Sequence, residues 1–202
     1  MMTKKILLAT ANKHKIEEIK YLLNGIPYEI VSVLDFENIK EVEEGKETYL
    51  ENASLKALGY SKQTGILSLA DDSGLEIDCL GGKPGVMSSR FLSEAKSYSE
   101  KNSMLLEMIK DVPQEKRGAR FVCTAVLAYN GKVIKSFIGE LKGSIAFEKA
   151  GNEGFGYDPV FYVPEYKTTL ASVPAEIKNQ ISHRANAMKQ VKEFLTNPLF
   201  LI

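Results

Sequence analysis

Three observations predict an α/β fold with a mixed β-sheet. Short apolar runs alternate with amphipathic helical stretches through the first half of the chain. A long apolar run after residue 117 folds back at Asn130-Gly131, the strongest short hairpin signal. Strand–helix alternation favours parallel pairing and a hairpin requires antiparallel pairing, so one sheet must hold both. Third, no low-complexity linker interrupts the sequence. Residues 1–202 therefore read as a single domain, with helices flanking the sheet and two merged lobes around a cleft.

The elements follow in order. "KKILLA" is a strand ending at Thr10. "NKHKIEEIKYLLNG" places Ile16, Ile19, Leu22 and Leu23 on one helical face, and Asn24-Gly25 ends it. "YEIVSVL" alternates as a second strand, and the polar, acidic stretch 35–47 is a loop. Thr48 and Glu51 form a capping box for a helix with Leu55 and Leu58 on its stripe, stopped by Gly65. "ILSLA" is a strand that delivers Asp71 and Asp72. After a Ser-Gly break "LEIDCL" alternates again, and "GGKPGV" is a turn. Residues 97–111 are helical, with Ser97 and Glu100 at the cap. Beyond the hairpin come the glycine-rich loop "GNEGFGYDP", the short strand "VFYV" and a mostly helical end in which Ser182 is an N-cap.

Composition narrows the function. Lysine plus arginine and aspartate plus glutamate number 26 each, so no global field draws the chain to nucleic acid or to a membrane surface. The apolar run near the N-terminus is too short for a signal-peptide core, and none reaches the ~18 residues of a span. These features predict a cytoplasmic protein. Cys79 and Cys123 each sit in an apolar run and read as buried thiols. Two distant histidines and two cysteines lack the spacing of a zinc site, and no G-x-S-x-G elbow exists for a serine hydrolase.

The informative stretch is "LSLADDSGLEID", where two adjacent carboxylates end an apolar run. A solvated turn accounts for them in isolation. Together with the acidic loop residues Glu41, Glu43 and Glu44 they could instead hold Mg²⁺, which takes a few carboxylates, waters and substrate phosphates. The strand end "TANKHK" opens a helix, whose first N–H groups suit an anion, and Lys13 and Lys15 add charge. No Walker-type glycine pattern is present. Lys56 lies one turn past Asn52. Phe155 and Tyr157 sit on a flexible loop beside Asp158, where a ring could stack on a base. His183 and Arg184 leave the first turn of the helix that Ser182 would cap.

Five segments in register carry a resemblance. "TANKHKIEEI", "EEGKETYLENASLKA", "ADDSGLEIDCLGGKPGVMSSRF", "GFGYDPVF" and "ISHRANA" follow the order and spacing of the inosine triphosphate pyrophosphatase family, also called Ham1-like or RdgB-like. The match runs over roughly residues 4–196. It implies an elongated mixed sheet, a homodimer, Mg²⁺, and hydrolysis of ITP, dITP and XTP to the monophosphate and pyrophosphate. It implies triphosphate contacts at Thr10, Ala11, Asn12, Lys13, His14, Lys15 and Lys56, and Asp72 as general base and metal ligand. Ser73 is the adjacent substrate contact, and Glu43 or Glu44 is the second metal ligand. Phe155, Gly156, Tyr157 and Asp158 form the base loop, and Lys178, His183 and Arg184 the last substrate segment. His183 and Arg184 are expected as donors at the base edge, favouring a C6 carbonyl over an amino group. Ala11 replaces the usual glycine or serine. "SSRF" stands for "SARY", which bears on how Arg90 is used. A Maf-like pyrophosphatase and a nucleotide-binding regulator without turnover are the competing readings. The missing Maf signature weighs against the first, and Asp72 with the acidic loop against the second.

Overall fold

A computed structural model describes residues 4–199. The strands are β1 (Lys5–Leu8), β2 (Glu29–Ser32), β3 (Leu67–Ile77), β4 (Gly118–Tyr129), β5 (Lys132–Ile145), β6 (Phe161–Val163) and β7 (Thr168–Thr169). The helices are α1 (Lys13–Leu22), α2 (Tyr49–Thr64), α3 (Tyr98–Met108), α4 (Ala175–Ile181) and α5 (His183–Leu195). The sheet order is β2-β1-β3-β4-β5-β6-β7. β1 is parallel to β2 and β3, with Lys5 opposite Glu29 and Ile6 opposite Leu67. β6 is antiparallel to β5 and β7. The predicted mixed α/β sheet is therefore present.

The chain forms two compact units. One holds the chain up to Asp72, Cys123–Gly139 and the chain from Arg184 onward; the other holds Ser73–Val122 and Glu140–His183. Three of the boundaries fall inside β3, β4 and β5. The single-domain reading of 1–202 also takes in residues 1–3 and 200–202, which lie outside the described residues.

In the first unit, strand periodicity divides the core between two faces. Ile6 and Leu8 of β1, Leu67 and Leu69 of β3, and Cys123, Ala125 and Leu127 of β4 share one cluster with Ile16 and Ile19 of α1 and with Met188 and Val191 of α5. Leu7 and Ala9, Ala70, and Val126 and Ala128 point the other way and meet Ala53, Ala57 and Tyr60 of α2. Local chemistry starts α1 and α2. Asn12 Oδ1 accepts the Lys15 N–H at the head of α1, and Thr48 Oγ1 accepts the Glu51 N–H at the head of α2. Gly65 ends α2 in the left-handed region at φ 71°. The Asn130-Gly131 turn has both residues at positive φ, as a type I′ hairpin requires.

The second unit packs Leu75 and Ile77 of β3, Leu105 and Ile109 of α3, Phe121 and Phe161 into its own core. Arg117 is buried there and donates to the carbonyls of Ile109, Val112, Ile145 and Ala146, joining the end of α3 to the end of β5. Among the described residues no helix is long and apolar enough to cross a membrane.

Four expectations are corrected. β3 runs unbroken from Leu67 to Ile77, so Ser73-Gly74 interrupts nothing, because ladder hydrogen bonds outweigh local turn preference. β2 stops at Ser32, whose N–H is captured by Asp35 Oδ2 at 2.7 Å as a 3₁₀ turn begins. The buried stripe of α2 is Asn52, Ala53, Lys56, Ala57, Tyr60 and Ser61; Leu58 packs half-buried against the same core, and Leu55 is half-buried outside that stripe. Small side chains let that helix lie close to the sheet. Cys79 is exposed, in a 3₁₀ turn past the end of β3, whereas Cys123 is buried as predicted. A thiol reagent on the native protein is accordingly expected to label Cys79 quickly and Cys123 only after unfolding. Equal labelling of both would contradict this packing.

Candidate active site

The alternation of β3 settles what the adjacent carboxylates do. Asp71 follows Leu67 and Leu69 onto the α1/α5 face, and Asp72 follows Ala70 onto the α2 face. The two neighbours thus enter separate networks.

On the first face, Asp71 Oδ2 receives Lys15 Nζ at 3.0 Å and Arg184 Nη2 at 3.2 Å, with Arg184 Nε at 3.3 Å. Arg184 also binds Glu18 of α1 through Nη1. Both Asp71 and Arg184 are almost fully buried. Burial alone would raise the Asp71 pKa, but the charges of Lys15, Arg184 and Lys56 override it and hold the carboxyl below its ordinary range. Burial likewise opposes the charge on Arg184, and Asp71 with Glu18 more than restores it. The Cys123 thiol donates to Asp71 Oδ2 at 3.9 Å, and burial beside that carboxylate pushes its pKa up to about 12.

On the second face, Asp72 Oδ2 accepts the Asn52 Nδ2 at 3.1 Å, and Lys56 Nζ lies 4.0 Å from Asp72 Oδ1. Lys56 Nζ also donates to the Asp71 carbonyl at 2.7 Å and pairs with Glu44 Oε1 at 2.8 Å. The loop that brings Glu44 is fastened to α2. Asn52 Oδ1 accepts the N–H groups of Gly45 and Lys46, and Gln63 exchanges two hydrogen bonds with the backbone of Lys40. A Cβ on Gly59 would stand 2.6 Å from Val42 Cγ2, so glycine permits this approach. Burial raises the pKa of Asp72, and Glu44 adds to the rise; Lys56, Lys15 and Asn52 offset part of it. For Lys56, burial favours the neutral form, but its surrounding carboxylates win and its pKa is raised.

Among the described residues no three His, Cys, Asp or Glu side chains form a metal-binding group on their own. Glu44 and Asp72 nevertheless converge on one ammonium group. Two carboxylates with phosphate and water oxygens make a donor set that suits Mg²⁺. Glu43 and Glu44 are both exposed on this loop, and the pairing of Glu44 with Lys56 beside Asp72 favours Glu44 of the two.

The second unit contains a different cluster. Asp158 Oδ2 accepts Lys178 Nζ at 2.8 Å and the Phe155 N–H at 2.9 Å. Lys178 Nζ lies 4.9 Å from the Phe155 ring centroid. A Cβ on Gly154, at φ 76°, would fall 2.2 Å from Asp158 Oδ2. Tyr157 is buried, and its hydroxyl donates to the Ser88 carbonyl at 3.0 Å. His183 stacks on Phe121 with centroids 4.7 Å apart. A cavity of about 450 Å³ shares Phe155 and Gly156 with this cluster, but not Asp158 or Lys178.

The sequence-predicted residues are distributed as follows. Thr10, Ala11 and Asn12 lead into α1, with Thr10 Oγ1 accepting the Asn12 N–H, and Lys13, His14 and Lys15 form its first turn. Lys15, Lys56, Asp72 and Glu44 belong to the first unit, and Phe155–Asp158, Lys178 and His183 to the second. Ser73 follows Asp72 on β3, half-buried, and Arg90 is exposed. The Arg184 guanidinium is directed at Asp71 and Glu18. Asn52 and Glu18 were not singled out as site residues. Asn52 precedes Lys56 by four residues, which on a helix is a legible signal; Glu18 left no such mark.

Comparison with known proteins identifies relatives along nearly the whole chain. A model of the Ham1 family matches residues 6–194. The chain is 47% identical to a dITP/XTP pyrophosphatase of Desulforamulus reducens over 98% of each chain. It is 44% identical to one of Geobacter sulfurreducens, over 95% of this chain and 96% of that one. The Staphylococcus aureus Ham1 protein structure superposes with TM-score 0.85 at 38% identity, covering 95% of this chain and 98% of that one. A HAM1 protein from Coxiella burnetii gives TM-score 0.86 at 37% identity, over 96% and 98%. With sequence and fold matching along nearly its whole length, the chain belongs to the Ham1 family.

Proposed function

We propose that the protein hydrolyses ITP, dITP and XTP to the nucleoside monophosphate and pyrophosphate, removing deaminated purines from the nucleotide pool. The observation that carries this reading is Asp72, buried on the α2 face with Asn52, Lys56 and Glu44 around it. The names of the relatives, dITP/XTP pyrophosphatase, support it.

Asp72 orients the attacking water and takes its proton. The water oxygen bonds to the α-phosphorus, the bond to the bridging oxygen breaks, and pyrophosphate leaves. Lys56, Lys15 and the first N–H groups of α1 hold the phosphates and balance the charge that develops on them. Mg²⁺, held by Asp72 and Glu44 (with Glu43 on the same loop), would supply phosphate neutralisation and a more acidic water. The reading includes a homodimer in the cytoplasm that engages neither nucleic acid nor membrane.

Base selection falls to the Asp158–Lys178–Phe155 cluster. Phe155 offers a ring for stacking, and Lys178 is donor-only. An ammonium accepts a C6 carbonyl as partner and leaves a 6-amino group without an acceptor. Sites built on such hydrogen bonds discriminate by up to about 10⁴–10⁵. Guanine also carries the carbonyl, so its rejection is expected to be weaker.

The test is pyrophosphate release from ITP, XTP, GTP, ATP and dTTP, with Mg²⁺ and with chelator. Fast release from ITP and XTP only with Mg²⁺ is expected; a preference for dTTP or ATP refutes the reading. Lys178→Ala is expected to compress the ITP/ATP ratio of kcat/KM by at least about tenfold, the worth of one charged hydrogen bond. An unchanged ratio removes Lys178 from base selection.

A further inference from the structure

We infer that Asn102, in the middle of α3, is a positioning residue that sets the base-stacking loop. The inference rests on the nucleotide role proposed above for Phe155. Gly154 and Gly156 flank that ring at φ 76° and 68°. A segment with two left-handed glycines has little conformational preference of its own, so its placement depends on anchors. One anchor is Asp158, which accepts the Phe155 N–H. Another is the Asn102 side chain, whose Nδ2 donates to the Gly156 carbonyl at 3.0 Å. Phe155 therefore lies between two fixed backbone groups.

Asn102 is suited to this task. It is 1% exposed, and α3 is itself held in place. Ser97 caps the helix, Lys101 Nζ donates to the Ser89 carbonyl at 2.7 Å, and the Tyr98 ring meets Tyr157 edge-on at 5.6 Å. Turning the amide over would set oxygen against oxygen at Gly156 and lose this hydrogen bond. The cavity of about 450 Å³ borders the same loop and is lined by Asn102, Tyr98 and Gly151–Gly156. Packing does not close the loop on that side, where the Asn102 hydrogen bond adds to the backbone bonds from Glu153 to Ala171 and from Asp158 to Phe155 and to the bond from Tyr157 to Ser88.

The experiment compares inosine monophosphate with inorganic pyrophosphate as calorimetric probes, alongside ITP kinetics. Asn102→Asp keeps the shape and removes the donor; Asn102→Ala removes the side chain. Both are expected to weaken inosine monophosphate about tenfold, the worth of one buried hydrogen bond, and pyrophosphate less than about twofold. KM for ITP is expected to rise with kcat nearly unchanged. Tyr98→Leu, at a partly exposed position, is expected to shift the same quantities in the same direction and serves if the Asn102 variants do not fold. Equal weakening of both probes, or unchanged inosine monophosphate binding, overturns the positioning role. A wild-type protein that releases no pyrophosphate from ITP overturns the function itself, a result visible before any variant is compared.

Discussion

Asp72→Asn is expected to lower pyrophosphate release from ITP by about 10²–10⁴-fold, the usual cost of losing a catalytic acid–base group. The fold is expected to survive unchanged. Asn keeps the volume and can still face Asn52 and Lys56. Folding raises the pKa of Asp72, so above its ordinary pKa the ionised carboxylate disfavours the folded state. Neutralising it should leave the melting temperature level or slightly higher. Steady-state kinetics at saturating Mg²⁺ and a thermal melt check both halves. A variant with about a third of the wild-type rate, far above the loss expected of an acid–base group, removes Asp72 from the chemistry.

Arg184→Ala is expected to act on stability rather than on base choice. It removes the partner of a carboxylate that is almost fully buried, and breaking such a pair costs about 3–5 kcal/mol. Lys15 remains on Asp71, which places the loss at the lower end, near 10 °C in melting temperature at about 2–4 °C per kcal/mol. The sign of its pH dependence follows from Asp71, whose pKa is depressed in the folded state. That stabilisation is complete above the unfolded value of about 3.9 and is lost as pH falls below it. The gap between wild type and Arg184→Ala should therefore narrow below about pH 4. Adding Asp71→Asn to Arg184→Ala should recover part of the loss, since the almost fully buried carboxylate is then gone and only the more accessible Lys15 and Glu18 have lost a partner. An unchanged melting temperature with a compressed ITP/ATP ratio would return Arg184 to the base edge.

Much of the fold was legible because its signals are local. Thr48 with Glu51, Ser97 with Glu100, and Asn12 mark helix starts through hydrogen bonds spanning three residues. Asn130-Gly131 marks a hairpin through backbone freedom alone. The seven-stranded order was not legible, and β7, two residues long, is too short to show a period. The amphipathic stripe of α2 misled in part: hydrophobicity pointed to Leu55 and Leu58, whereas the fully buried positions facing the sheet include the small residues Ala53 and Ala57, with Leu58 only half-buried beside them.

The sequence by itself determined which residues are candidates for the chemistry: the carboxylate pair, the lysines at residues 15 and 56, and the aromatic loop before Asp158. Only the tertiary structure decided how they are used. Asp71 and Asp72 look alike in sequence, but an unbroken β3 turns successive side chains to opposite faces. One carboxylate meets Lys15 and Arg184, and the other meets Asn52, with Lys56 and Glu44 beside it. Arg184 reads as a donor for a ligand until the chain closes on itself and sets it against Asp71, 113 residues away. Local hydrogen bonds and periodicity are written in neighbouring residues. The partner of a buried charge is chosen by whatever the fold places within reach, because leaving that charge unpaired is too costly.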